Sequence, residues 1–120
     1  MYVFLEYSID CAHFLPNVAA GHKCGQMHGH RYDIRLEITG SVGSKTGWIV
    51  DYAEIKEGFD PIFIALDHRT LNDIPGLQNP TCENIVAYLV RVLPTNPQGE
   101  FMLTGVEVRE THRAGAGWRR

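Results

Sequence analysis

The sequence predicts an α+β fold in which a four-stranded antiparallel sheet carries two helices on one face, in the order ββααββ. Three observations carry that expectation. Period-two alternation marks both ends of the chain, and two helical periodicities lie between them. Strand and helix never alternate along the chain, as a parallel doubly wound sheet would require. The 120 residues fit a single domain spanning 1–120, and a chain of that size buries roughly two thirds of its unfolded surface.

Residues 2–12 (YVFLEYSIDCA) are rich in aromatic and β-branched types and read as a strand. Val3, Leu5, Tyr7, Ile9 and Cys11 share one face, and His13 falls on the same parity. Pro, Gly and Asn make residues 14–27 a loop. Residues 28–39 alternate most clearly: His28, His30, Tyr32, Ile34, Leu36 and Ile38 lie on one face, with Arg31, Asp33, Arg35 and Glu37 on the other. Asp51 and Glu54 have the form of a capping box, ahead of Ile55, Phe59, Ile62 and Leu66 at helical spacing. Pro61 inside that run is expected to kink or restart the helix. Thr81 caps a second helix with Ile85, Leu89, Val92 and Leu93 as its apolar stripe and Pro94 as its stop. Residues 101–111 form the third strand, with Val106, Val108 and Glu110 on one parity, and a short fourth covers 116–119.

Composition removes whole classes of function. With 44% hydrophobic and 21% charged residues the chain is neither disordered nor unusual for a globular domain. A net charge of -3 argues against a general nucleic-acid binder, which needs a basic surplus to neutralise phosphates. No apolar run approaches the ~20 residues of a membrane helix, and no secretion signal opens the chain. The 3 cysteines match no disulfide framework, so reduced thiols and a cytoplasmic location are expected. Cys11 and Cys82 read as structural.

The unusual feature is histidine, with 6 in a short chain. His28 and His30 project to one side of a strand, one pleat apart. If the first two strands pair, His13 joins them. Three imidazoles with an open fourth position is the pattern of catalytic zinc, whereas Cys24 as a fourth ligand would close a structural site. Cys24 follows His22 and Lys23, and nearby positive charge makes a thiol a better base. Neighbours in an extended chain diverge, so Asp67 and His68 form an orienting pair only if a helix end turns both toward a common pocket. The bland alternatives are a turn residue and a histidine meeting a helix dipole. Glu110 continues an apolar strand face and needs a partner: either the paired N–H edge of a pterin or guanine ring, or a basic residue such as Arg109 or Arg113.

Ala12-His13, CGQMHGH (24–30), GWIVDYAEIK (47–56), LDHRTLN (66–72), NPTCENI (79–85) and VRET (108–111) together resemble the 6-pyruvoyltetrahydropterin synthase family, and in particular its carboxy-producing bacterial branch. The spacing of Cys24 from His28 resembles that branch. The resemblance implies the tunnelling fold (T-fold), with sheets joined into trimeric barrels and two trimers stacked as a homohexamer with sites between subunits. It implies Zn2+ held by His13, His28 and His30, Cys24 as proton-abstracting base, Asp67 and His68 as its relay, and Glu110 anchoring the pterin ring. It further implies the substrate 7,8-dihydroneopterin triphosphate, a carboxytetrahydropterin product with acetaldehyde and triphosphate released, and a place in queuosine biosynthesis. A pyruvoyl product, or pterin or metal binding without catalysis, are the alternatives. His22, Lys23 and Arg31 are candidates to grip the triphosphate. The His112-Arg113 pair has no assigned role.

Overall fold

The computed structural model describes residues 1–94 and 101–120. Its elements are β1 (Val3–His13), β2 (His28–Gly40), α1 (Tyr52–Leu66), α2 (Cys82–Val92), β3 (Phe101–Thr111) and β4 (Ala114–Arg119). The strands form one sheet in the order β1-β2-β3-β4, and every neighbouring pair is antiparallel. This is the predicted architecture, with β4 beginning two residues earlier than expected.

Alternation explains the core. Leu5 pairs with Leu36, Tyr7 with Ile34 and Ile9 with Tyr32, which lays a continuous apolar stripe across β1 and β2. Tyr32, Ile34, Leu36 and Ile38 are fully buried under the helices. The opposite face carries charge: Glu6 pairs with Arg35 and Asp10 with Arg31 across the strands. The Arg35 guanidinium lies 3.8 Å from the centre of the Phe4 ring. Arg119 forks onto Glu37, with contacts of 3.2 and 3.1 Å.

Helix α1 starts where the Asp51 carboxylate accepts the Ala53 N–H at 2.9 Å. It buries Ile55, Phe59, Phe63 and Leu66; Phe63 takes the deep position the sequence pattern gave to Ile62. The break expected at Pro61 does not occur, and the helix runs through it. Proline there costs about 3 kcal/mol. Tertiary contacts on both sides offset it: the Tyr7 hydroxyl donates to Asp60 at 2.7 Å, and the Tyr7 ring stacks on Phe63 at 3.9 Å.

Helix α2 is capped as read, with Thr81 Oγ1 accepting the Asn84 N–H at 3.2 Å. Ile85, Val86, Leu89 and the capping Leu93 are buried, while Val92 is only partly covered. Thr81→Ala is expected to lower stability by about 1 kcal/mol, read as a reduced urea midpoint at unchanged slope.

After α1 the chain runs beside the free edge of β1. His68 N–H donates to the Asp10 carbonyl at 2.7 Å, Ala12 N–H to the Arg69 carbonyl at 3.0 Å, and Thr70 bridges Ala12 in parallel. That covers the end of an otherwise open strand. The molecule is long, 58 × 25 × 19 Å, with a radius of gyration of 15.7 Å where a compact chain of this size has roughly 13.5 Å. No helix among the described residues is long and apolar enough to cross a membrane.

Candidate metal centre and the residues around it

The β1–β2 register places His13 directly opposite His28, and Cys11 opposite His30. His30 is two residues from His28 and so shares its face. The three imidazoles converge, with ring centres 4.5, 4.8 and 5.0 Å apart. Backbone carbonyls orient two of them: His13 Nδ1 lies 2.9 Å from the Pro80 carbonyl and His28 Nδ1 lies 2.7 Å from the Gln26 carbonyl. Each contact places the proton on Nδ1 and leaves the Nε2 lone pair free, the arrangement that outer hydrogen bonds give metal-binding histidines.

Those free nitrogens face each other. His13 Nε2 and His28 Nε2 are 2.9 Å apart. Two lone pairs at that distance repel unless a proton or a cation lies between them. A shared proton is disfavoured at His13, which is 2% exposed. Burial lowers its pKa, and neighbouring His28 and His30 lower it further, against the raising contact with Pro80. His30 Nε2 is also buried and makes no aligned hydrogen bond, although Glu110 Oε1 lies 2.8 Å away. Ligand atoms of His13, His28, His30 and Glu110 all lie within 4.8 Å of one another. A tetrahedral zinc with bonds of about 2.0–2.1 Å needs its ligands roughly 3.3 Å apart. The donor set, its spacing and its orphaned nitrogen fit such a metal.

Glu110 does not take the basic partners considered for it. Arg109 turns instead to Glu6, at 3.5 Å, and Glu107, at 3.6 Å. The β3–β4 register shifts between Arg109 and Thr111, a bulge at the glutamate itself. Sequence reading passed over Tyr32 as a site residue. Its buried hydroxyl lies 3.3 Å from each ring nitrogen of His13, beneath the cluster. The signal was its parity with His28 and His30. The Pro80 and Gln26 carbonyls left no signal, because backbone acceptors are the same in every residue.

Cys24 sits half-buried in a 3-10 turn, Lys23–Gly25, whose position is tied to β1 by the Leu15 N–H donating to the Cys24 carbonyl at 2.8 Å. It stands outside the ligand group, and Glu110 is the fourth donor within reach. His22 Nδ1 accepts the Cys24 N–H at 3.0 Å. Arg31 points to the sheet face opposite the imidazoles and holds Asp10 at 3.2 Å. His112 and Arg113 form the exposed turn between β3 and β4. The Cys11 and Cys82 thiols donate to the carbonyls of Leu66 and Val108, both at 3.2 Å. Burial pushes Cys11 up to about 11 and raises Cys82 as well, which suits packing thiols.

Asp67 and His68 touch, contrary to the divergence of extended neighbours. Asp67 Oδ2 lies 3.0 Å from His68 Nδ1 because His68 adopts a left-handed backbone, with φ of 59°. The Asp10 N–H, donating to Asp67 Oδ1, is the main cause of a lowered Asp67 pKa; His68 adds to it. With Asp10 this pair forms a second group, separate from the imidazole cluster. Within one chain, then, the structure unites the three histidines and Glu110 but leaves Cys24 and the Asp67–His68 pair outside. His68→Gly is expected to keep stability within about 1 kcal/mol, whereas His68→Val loses about 1–2 kcal/mol from the disfavoured φ, both read by thermal unfolding.

Comparison with known proteins accords with this geometry. The family model described as 6-pyruvoyl tetrahydropterin synthase matches residues 2–120. A Synechocystis protein named 6-carboxy-5,6,7,8-tetrahydropterin synthase is 35% identical, over 95% of this chain and 89% of that protein. A Pyrococcus furiosus protein named dihydroneopterin monophosphate aldolase is 30% identical, with 75% of each chain covered. The structure of the Caenorhabditis elegans 6-pyruvoyl tetrahydropterin synthase superposes with a TM-score of 0.81 at 25% identity, covering 100% of this chain and 96% of that one. The T-fold expected from the resemblance is therefore the observed fold. The chain belongs to the 6-pyruvoyl tetrahydropterin synthase family and, like that family's members, is an enzyme of the lyase class.

Proposed function

We propose that this lyase is zinc-dependent and converts 7,8-dihydroneopterin triphosphate and water to 6-carboxy-5,6,7,8-tetrahydropterin, acetaldehyde and triphosphate, for queuosine biosynthesis. The carrying observation is the trio of imidazoles whose Nδ1 atoms are held by carbonyls, in a chain 35% identical to a relative of that name. His13, His28 and His30 hold the metal. Bound zinc supplies Lewis-acid polarisation of the substrate's side-chain hydroxyls, which acidifies the adjacent C–H bonds.

The chain's own groups do the rest. Cys24 thiolate removes a proton from the side-chain carbon, and His68 transfers one at its exposed imidazole. Asp67, at 3.0 Å from Nδ1, orients that ring and favours its charged form. Glu110 accepts the paired N–H donors of the pterin edge. Arg31 is engaged by Asp10, so His22 and Lys23 are the better placed cations for the triphosphate.

Cys24 and His68 come from different subunits of a homohexamer, a dimer of trimers. The elongated sheet supports this, as does the separation of the two residue groups within one chain. A cytoplasmic location suits three free thiols.

The test is incubation of zinc-loaded protein with dihydroneopterin triphosphate and identification of the products. Acetaldehyde with a 6-carboxypterin is the expected result. A pyruvoyl product sinks this reading in favour of the activity named for a Drosophila relative 31% identical to this chain. Turnover of the monophosphate alone favours the activity named for the Pyrococcus relative.

A further inference from the structure

We propose that Glu110 is a fourth ligand of the metal in the substrate-free protein and leaves it when the pterin arrives, so that one carboxylate serves metal and substrate in turn. The inference deepens the proposed function and rests on its assignment of Glu110 to the pterin edge.

Four observations lead there. Glu110 Oε1 lies 2.8 Å from His30 Nε2, and its ligand atom belongs with those of the three histidines to one group within 4.8 Å. The contact is not an aligned hydrogen bond, since His30 Nε2 is left without a partner. A lone pair on each atom aimed at a common cation accounts for both facts. Among the described residues the only ion pair of Glu110 is with His30, because Arg109 is turned to Glu6 and Glu107. A carboxylate with its side chain 35% exposed and no other cation at hand is available to a dication. Finally, the register shift at Glu110 lies just before the β3–β4 turn, where the strand departs from regular pairing. That leaves the side chain able to swing without breaking the ladder of β3 with β2, which is recorded from Gly40–Phe101 to Asp33–Arg109.

The consequence is a closed, four-coordinate site at rest and an open one during turnover. Three neutral imidazoles leave a dication fully charged, and the carboxylate halves that charge. Substrate hydroxyls need the fourth position, and the pterin edge needs the carboxylate. Both demands are met by the same displacement. Binding of pterin and retention of metal are then linked with opposite sign, and the linkage passes through Glu110.

The test uses the full chain, with zinc affinity read by competition against a chromophoric chelator and Co2+ as a spectroscopic substitute. Neopterin, which lacks the triphosphate, serves as the pterin probe. Glu110→Gln and Glu110→Ala are compared with the parent protein, each checked for an unchanged far-UV spectrum. The expected result is at least about a tenfold loss of zinc affinity in both variants without any pterin. Neopterin is expected to change the Co2+ absorption bands of the parent and leave those of Glu110→Gln unchanged. Equal zinc affinity in parent and variants overturns the inference. If such variants also lose neopterin binding, the pterin-edge assignment survives while the metal role falls. If zinc affinity drops but neopterin binding is untouched, the carboxylate is a ligand that never leaves, and the exchange is overturned.

Discussion

Replacing His28 with alanine is expected to abolish stoichiometric zinc binding and to lower turnover by more than about a thousandfold, with the fold intact. The magnitude follows from the several kcal/mol that a bound metal contributes to a charged transition state, at 1.36 kcal/mol per factor of ten. His28 is the cleanest of the three histidines to remove. It opens β2, it is only half-buried, and its Nδ1 partner is the exposed carbonyl of Gln26. His13→Ala should lose metal equally but also lose about 1–3 kcal/mol of stability, because the buried Pro80 carbonyl is left without its donor. Metal content by atomic emission, turnover and thermal unfolding on the same preparations separate these effects. Full zinc occupancy in His28→Ala would exclude the imidazole cluster as the metal site.

Cys24→Ala is expected to do the opposite: zinc stays and turnover falls by about a hundred- to ten-thousandfold, the usual contribution of a positioned acid–base group. The geometry separates the two outcomes in advance, since the Cys24 thiol lies outside the group of ligand atoms that His13, His28, His30 and Glu110 form. The substitution is mild structurally, because the turn is held by backbone bonds from Leu15 and Gln26 and by the His22 ring. Loss of zinc from Cys24→Ala would make the thiol a ligand and remove it from the role of base.

Much of this could be read from the chain. Alternation identified β1, β2 and β3 nearly to the residue, because one face of each is buried and the other charged, a pattern no helix shares. The same parity argument put His13, His28 and His30 on one face, and the register then made them neighbours. Readings that failed were those set by distant contacts. Pro61 does not break α1, because Tyr7 reaches both Asp60 and Phe63 from fifty residues away in sequence. Asp67 and His68 meet through a left-handed backbone that only the pairing with β1 imposes.

The sequence by itself determined the layers of this protein and the metal-binding chemistry of one sheet face, since side-chain period and ligand type are local properties of the chain. Only the tertiary structure decided how that chemistry is oriented. The carbonyls of Pro80 and Gln26 set the tautomers, Arg109 turned away to leave Glu110 facing His30, and Cys24 was held outside the ligand group. Each of these depends on backbone atoms or on competition between partners far apart in the chain. Neither leaves a mark in the order of residues.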